Sequence, residues 1–274
     1  MISHIQSEKI DILMIVKEIL KKIYILFLGQ HPHNTFLSFN YHNISHINKY
    51  IKREIKNIAG SKKYILADIG SGKSPYYQIL SEISSKYVAV DMKDNLPENE
   101  TRSIEQVYGV AEEIPLENST IDIVLCNQVL EHVNDPIKSV DEIYRILKPG
   151  GKFIGSLPHV SPVHLEPYDF RRYTDLGLKK LLDSAGYTDI KIEGSGGVHS
   201  AAALMITMDW MLNPRKEGIP QSFSPIKAFL LSPIVGFINL SSSLLDFLIK
   251  DKGRTPANLC WTATKPFHIS QINN

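Results

Sequence analysis

Three groups of residues in this chain have types and spacing suited to chemistry. The first is Asp68-Ile69-Gly70-Ser71-Gly72-Lys73-Ser74, which follows an apolar run. Glycines at a strand-to-helix turn accept unusual backbone angles and let a ligand approach the main chain. Ser74 stands where a third glycine is common, so a plain structural turn reads the same way. The second group is Val88-Ala89-Val90-Asp91, an apolar run ending in an acid. An acid about 20 residues beyond such a turn meets ribose hydroxyls in doubly wound folds. Together the two groups point to a nucleoside-containing ligand.

The third group is the stretch 158–174, which holds His159, His164, Glu166, Tyr168, Asp169, Arg171 and Arg172. An imidazole titrates near neutral pH, so His164 is the candidate general base for a hydroxyl nucleophile. Glu166 is the candidate to orient it, and Tyr168 or Arg171 to hold an acceptor. The competing reading is an ordered lid in which Asp169 pairs with Arg171 or Arg172. His159, His164 and Glu166 match no tight ligand spacing, so no metal is expected. Nor is a Ser-His-Asp or Cys-His arrangement evident.

The elements that must position these groups follow from the patterning. Apolar runs of strand length at 64–69, 86–91, 105–109, 121–126 and 152–157 alternate with helical patterns, and 187–193 and 258–264 follow. That alternation predicts an α/β fold: a doubly wound, Rossmann-like, seven-stranded, mostly parallel sheet with flanking helices. Ligands of such sheets sit outside the carboxyl ends of the strands, which is where all three groups fall. A helix over 136–148 is predicted by Asp135 as cap, Pro136 at the first position and an apolar stripe from Ile137 to Leu147. Further helices are predicted near Pro75, over 43–59, and from Thr174 to Gly186. The division expected is a helical extension at 1–60, a ligand-binding core at 61–193, a helical insertion at 194–256, and a closing strand and tail at 257–274.

Two segments are more apolar than a core requires. Residues 10–28 form an amphipathic pattern with Asp11, Lys17, Glu18, Lys21 and Lys22 on one arc. It reads as a helix packed on the domain or lying in a membrane interface. Residues 228–245 carry no charge, but Pro233, Gly236, Asn239 and Ser241 to Ser243 interrupt them. Two short helices are predicted there, buried or interfacial, and not a membrane span. The insertion is expected to act as a lid, a membrane-surface contact or a homodimer contact.

Whole-chain composition bounds the function classes. The 274 residues carry 30 Lys+Arg against 29 Asp+Glu, a net charge of +1, which gives no electrostatic case for a nucleic-acid partner. Two cysteines, Cys126 and Cys260, make no disulfide framework, so a reducing cytoplasm is the simplest compartment. The N-terminus lacks the pattern of a signal peptide.

A family resemblance rests on the whole ordered set. The set comprises Asp68 to Ser74, Val88 to Asp91, Gly109-Val110-Ala111-Glu112-Glu113-Ile114-Pro115-Leu116, Ile121 to Val133, Asp135-Pro136 and Leu147 to Phe153. In this order the runs strongly resemble class I S-adenosylmethionine-dependent methyltransferases of the methyltransferase type-11 kind, over 64–187 and the closing strand. By that resemblance S-adenosylmethionine is the cofactor. Asp68 and the backbone of Gly70, Ser71 and Gly72 would hold its methionine part, Asp68 acting through water on the ammonium. Asp91 would bind the ribose diol, Met92 would pack on the adenine and Ala111 would offer its backbone to the adenine edge. The acid that often precedes this alanine is Val110 here, so Glu112 or the backbone alone would read the base. Cys126 and Asn127 would place a carbonyl against the ammonium, the cysteine through its backbone and not its thiol. His132 would be a packed, hydrogen-bonded histidine.

The 164–174 run is similar to that of type-11 relatives tied to sugar and surface-polysaccharide contexts. It implies a small-molecule or glycan-type acceptor methylated at a hydroxyl oxygen. The alternatives are an enzyme on a lipid-linked acceptor, peripheral at the inner membrane surface, and a non-catalytic cofactor-binding scaffold.

Overall fold

The computed structural model describes residues 22–96, 103–213, 225–249 and 253–267. In chain order the main elements are helix α1 (Tyr41–Ile58), strand β1 (Tyr64–Ile69), helix α2 (Tyr77–Leu80) and strands β2 (Ser84–Asp91), β3 (Glu105–Tyr108) and β4 (Ile121–Asn127). Helix α3 (Pro136–Ile146), strand β5 (Leu147–Pro158), helix α4 (Asp175–Ser184) and strand β6 (Thr188–Ser195) follow, then helices α5 (Val198–Met211) and α6 (Pro225–Leu248) and strand β7 (Asn258–Thr264). The seven strands form one sheet in the order β3-β2-β1-β4-β5-β7-β6. Strands β1 to β5 pair in parallel, and β7 runs antiparallel to both β5 and β6. The expected fold class is therefore the one found.

Alternation along the strands explains the two-sided core. In β1, Leu66 joins the cluster under α1, while Ala67 and Ile69 join the cluster on the opposite face. In β4, Ile123 and Leu125 face α1, and Val124 and Cys126 face the other way. Parallel strands buried on both faces read as continuous apolar runs, which is why the sequence shows no polar alternation there. Helix α1 supplies Ile47, Tyr50, Ile51 and Ile55 at helical spacing to one cluster; α3 supplies Val140, Ile143 and Ile146 to the other.

Chain order reverses where β1 and β4 lie side by side, paired from Leu66↔Ile123 to Ile69↔Cys126. Open α/β sheets have their ligand crevice at such a reversal, beyond the carboxyl ends of the strands. The Gly70 turn and Asn127 both sit at that crevice.

Helix ends follow local chemistry. Asp135 caps α3, its Oδ1 accepting the N–H groups of Ile137 and Lys138, each at 3.0 Å. Thr174 caps α4 through Gly177 N–H at 3.0 Å. Helix α3 ends at Ile146 and not at 148, because Leu147 already pairs with Ile121. The helix expected near Pro75 is only the four-residue turn α2.

One prediction is overturned. Instead of two short helices, 228–245 lies within the single 24-residue helix α6, with Pro233 inside it. Proline removes one backbone donor and orphans the carbonyl four residues earlier. That carbonyl, Phe229, accepts the Ser232 hydroxyl at 2.8 Å, so the helix continues. Most of the helix expected at 10–28 lies outside the described residues; its end, 22–28, is helical.

Candidate active site

The turn after β1 is fixed by strand β2. Gly70 and Ser71 donate their N–H groups to Val90 carbonyl oxygen at 2.8 and 3.3 Å. Gly70 has φ +69°, and a Cβ there would lie 2.4 Å from Val129 Cγ2. Gly72 has φ +52°, and a Cβ built on it meets nothing within 4 Å. The first glycine is thus demanded by close packing, whereas the second opens onto free space.

Asp91 at the end of β2 closes that space. Its Oδ2 accepts Gly72 N–H at 2.7 Å, and its Oδ1 accepts Met92 N–H and Asn95 Nδ2 at 2.7 Å each. A carboxylate offers about four acceptor positions and can share them between donors, so these three bonds do not exhaust it. Met92 is exposed beside it.

Asp68 lies within the sheet edge and is buried, with Tyr87 hydroxyl donating to its Oδ2 at 2.5 Å. Burial pushes its carboxyl up to about 7; the Tyr87 bond pulls it back only in part, and nearby Asp91 adds to the rise. A buried carboxyl poised near neutrality ionises readily when a cation comes to it. Tyr87, which the sequence reading passed over, is among the described residues the one that donates a side-chain hydrogen bond to Asp68. Its signal was a lone tyrosine in an otherwise small and aliphatic strand end.

At the end of β4 the Cys126 thiol is fully buried, and burial, followed by Glu131 and Asp68, pushes it well above its ordinary value. The thiol is therefore inert at neutral pH. Asn127 Oδ1 accepts the Ser156 hydroxyl, and Gln128 N–H donates to Ser156 carbonyl oxygen at 2.8 Å. Ser156, also missed, joins the ends of β4 and β5. Ala111 is buried and Val110 is exposed at the rim.

Glu112 does not fit the role considered for it. Its Oε1 accepts Asn134 N–H at 2.8 Å and Asp135 N–H at 3.4 Å, which turns that oxygen to the loop before α3.

The 158–174 loop is strapped over the sheet edge. Arg171 Nη1 donates to the carbonyls of Leu130 (3.3 Å) and Val133, and Nη2 to that of Asn134 at 3.1 Å. Phe170 N–H donates to Glu131 carbonyl oxygen at 3.0 Å. Arg171, considered as an acceptor ligand, is thus a clasp committed to backbone. The pairing weighed between Asp169 and the arginines is present, with Arg172 gripping Asp169 through both nitrogens at 2.6 and 2.8 Å. Burial pulls the Asp169 carboxyl upward, but Arg172 and the N–H of His164 outweigh it and hold it below the usual range.

Asp169 also takes the orienting place expected of Glu166. Its Oδ2 accepts His164 N–H at 2.9 Å and lies 3.3 Å from His164 Nδ1. His164 Nδ1 also lies 3.1 Å from the Pro162 carbonyl. Glu166 is half-buried and Tyr168 exposed. The His132 ring stands against that of His164, 5.2 Å between centroids and nearly perpendicular. His132 Nδ1 donates to Tyr168 carbonyl oxygen at 2.7 Å. Burial lowers the His132 pKa, so this ring is neutral at pH 7. Glu131, His132 and His164 together present ligand atoms within 4.8 Å of one another. His159, by contrast, is turned to Tyr173 carbonyl oxygen at 2.9 Å.

Comparison with known proteins bears out the resemblance. Residues 67–155 match the family described as a methyltransferase domain. A Mycolicibacterium smegmatis protein named as a probable S-adenosylmethionine-dependent methyltransferase is 27% identical over 146 residues, covering 50% of this chain and 56% of its own. The Clavibacter sepedonicus demethylmenaquinone methyltransferase is 28% identical over 138 residues, covering 48% of this chain and 54% of its own. Human mitochondrial arginine-hydroxylase NDUFAF5 is 26% identical over 180 residues, covering 53% and 50%. The chain thus spans about half the length of the curated relatives it matches. Among solved structures, a Haemonchus contortus phosphoethanolamine N-methyltransferase 2 bound to phosphomonomethylethanolamine and S-adenosylhomocysteine shares the fold. It has TM-score 0.51 at 18% identity, covering 86% of this chain and 61% of that one. An Archaeoglobus fulgidus SAM-dependent methyltransferase has TM-score 0.50 at 17% identity, covering 81% and 94%.

Proposed function

We propose that this methyltransferase-domain protein transfers the methyl group of S-adenosylmethionine to a hydroxyl of a small-molecule or glycan-type acceptor. The observation that carries the reading is the open glycine turn at the β1–β4 reversal, with Asp68 at one end and Asp91 at the other. Asp91 receives the ribose diol, and Asp68, ionised by the approach of the ammonium, balances the methionine end. Met92 covers the base, and Gly72 leaves the backbone open beside the donor. The carbonyl end of β4, at Cys126 and Asn127, borders the methionine part.

The chemistry asks little covalent help of the protein. A sulfonium is already an activated donor, so catalysis consists of aligning oxygen, methyl carbon and sulfur, and of excluding water. The strapped loop supplies the second part, and His164, braced by Asp169, activates the hydroxyl. Isothermal titration with S-adenosylmethionine and S-adenosylhomocysteine tests the donor side, and binding of neither would reject the proposal. His164→Ala should lower turnover while donor affinity stays as it was. Unchanged turnover removes His164 from its role.

A second reading concerns where the acceptor lies. Helix α6 presents its polar residues inward: Asn239 Nδ2 donates to the Phe36 and Ser38 carbonyls at 2.8 and 3.0 Å, and Ser242 lies 2.8 Å from His42 Nε2. Ile226, Leu230, Phe237, Leu244 and Phe247 on the outward face are all more than half exposed. The helix is long and apolar enough to cross a membrane by length and composition, and a third of its apolar window is buried. Lys227 precedes the uncharged stretch, and Lys250, Lys252 and Arg254 follow it. An apolar face with basic flanks suits an anionic bilayer surface, and this pairing favours a cytoplasmic enzyme peripheral at the inner membrane with a lipid-linked acceptor. Flotation with vesicles containing phosphatidylglycerol tests it. The protein should float, and Phe237→Glu with Phe247→Glu should release it; wild-type protein that stays unbound rejects this reading.

A further inference from the structure

Glu131 is a fully buried carboxyl, and neither of its oxygens has a hydrogen-bond partner among the described residues. A buried carboxyl left without partners is costly, so such a position normally serves a ligand or an ion. The Glu131 side chain adjoins two imidazoles. His132 donates its Nδ1–H to Tyr168 carbonyl oxygen, which leaves a lone pair on Nε2, 3.7 Å from Glu131 Oε1. His164 turns Nδ1 to the Pro162 carbonyl and the Asp169 carboxylate, which leaves its Nε2 bare in the same way. Rings that give one N–H to a carbonyl or carboxylate and keep the other nitrogen free are oriented as metal-binding histidines are.

We propose that Glu131, His132 and His164 form a binding site for a divalent first-row transition-metal ion. One ligand atom from each already lies within 4.8 Å of the others. Ligands about 2.1 Å from a tetrahedral ion stand about 3.4 Å apart, so atoms up to 4.8 Å apart have to draw together by up to about 1.4 Å. Two imidazole nitrogens and one carboxylate oxygen suit zinc, cobalt, manganese or ferrous iron; magnesium and calcium prefer oxygen alone. Three protein ligands leave at least one position open.

The site deepens the function proposed above, and its catalytic role rests on that reading. Glu131 and His132 lie four and five residues beyond the end of β4 at Asn127, and Arg171 clasps the His164 loop to that same segment. An acceptor hydroxyl on the open position loses its proton to water, because the ion stabilises the alkoxide. The oxygen lone pair then bonds to the methyl carbon while the carbon–sulfur bond breaks, and its electron pair stays on sulfur. The products are the methyl ether, the neutral thioether and one proton. In this arrangement His164 activates the hydroxyl as a ligand of the ion.

The test is titration of the chelator-stripped full chain with zinc chloride alone, followed by titration with S-adenosylhomocysteine. The wild type should bind one zinc per chain. Glu131→Gln, which keeps shape and removes charge, should weaken zinc binding at least tenfold, and so should His164→Ala, which alters only a part-exposed loop. Both variants should keep the wild-type affinity for S-adenosylhomocysteine. Cobalt in place of zinc should give a visible absorption band that His164→Ala abolishes. No zinc binding by the wild type, or equal binding by both variants, overturns the site. Zinc bound as described but no S-adenosylhomocysteine binding would keep the site and overturn the methyl-transfer reading; the converse keeps that reading and overturns the site.

Discussion

Asp91, the last residue of β2, and Asp169, on the loop after β5, are both carboxylates at the carboxyl edge of the same sheet, yet they are held by different means. Asp91 is gripped by the amides of Gly72 and Met92 and by Asn95, all of them belonging to the turns beside β1 and β2. Asp169 is gripped by Arg172 and by His164 N–H, in a loop that stays in place because Arg171 reaches across to Leu130, Val133 and Asn134. The proposed donor side is built from backbone turns set by neighbouring strands. The proposed acceptor side is built from side chains of two segments that meet only in the folded chain. A slot of backbone depends on few side chains, Asp91 chief among them, whereas a strapped loop depends on its clasp.

The comparison is sharpened most by substitutions that separate the two sides. Asp91→Ala removes a ribose acceptor and the brace of the glycine turn together, and donor affinity should fall about 100-fold by calorimetry. Arg171→Ala should loosen the acceptor side alone: kcat falls about tenfold, donor affinity holds, and amide exchange quickens across 158–174. If instead Arg171→Ala weakened the donor as strongly as Asp91→Ala, the two regions would be one cooperative unit and the contrast would fail.

Asp68 supplies a smaller effect with a defined sign. Its pKa of about 7 in the fold means that a growing share of the carboxyl is protonated as pH falls below 7. Donor affinity, measured from pH 8 to pH 5.5, should therefore decline by about tenfold, since a neutral Asp68 no longer balances the ammonium. A flat profile would mean that Asp68 does not meet the donor's charge. The smallest effect concerns stability. A carboxyl whose folded pKa lies above its unfolded one lowers stability as pH rises through the interval between them. Asp68→Asn should thus raise Tm by a few degrees at pH 8 and leave it about unchanged below pH 4, even as donor affinity is lost.

Legibility in the sequence follows the same division. The apolar runs, the Gly70–Gly72 turn, Asp91 and the Asp135 cap could be read because each acts through neighbours close in the chain or through strand periodicity. Glu131 could not be read as a site residue, since its burial and its proximity to His164 depend on where a loop some 30 residues away folds back. Asp169 displaced Glu166 for a related reason: in an irregular loop, spacing does not tell which acid turns toward the ring. The 228–245 segment was misread because proline there does break a backbone bond. What the pattern did not reveal was that the Ser232 hydroxyl would satisfy the freed carbonyl.

The central claim, a sulfonium-nucleoside slot between Asp68 and Asp91, is tested most directly by a crystal structure of the protein with S-adenosylhomocysteine. The account predicts both ribose hydroxyls within hydrogen-bond distance of Asp91, the amino group directed to Asp68, and Gly72 against the ligand. A ligand lodged elsewhere, or a turn filled by the protein's own side chains with both acids facing away, would contradict it.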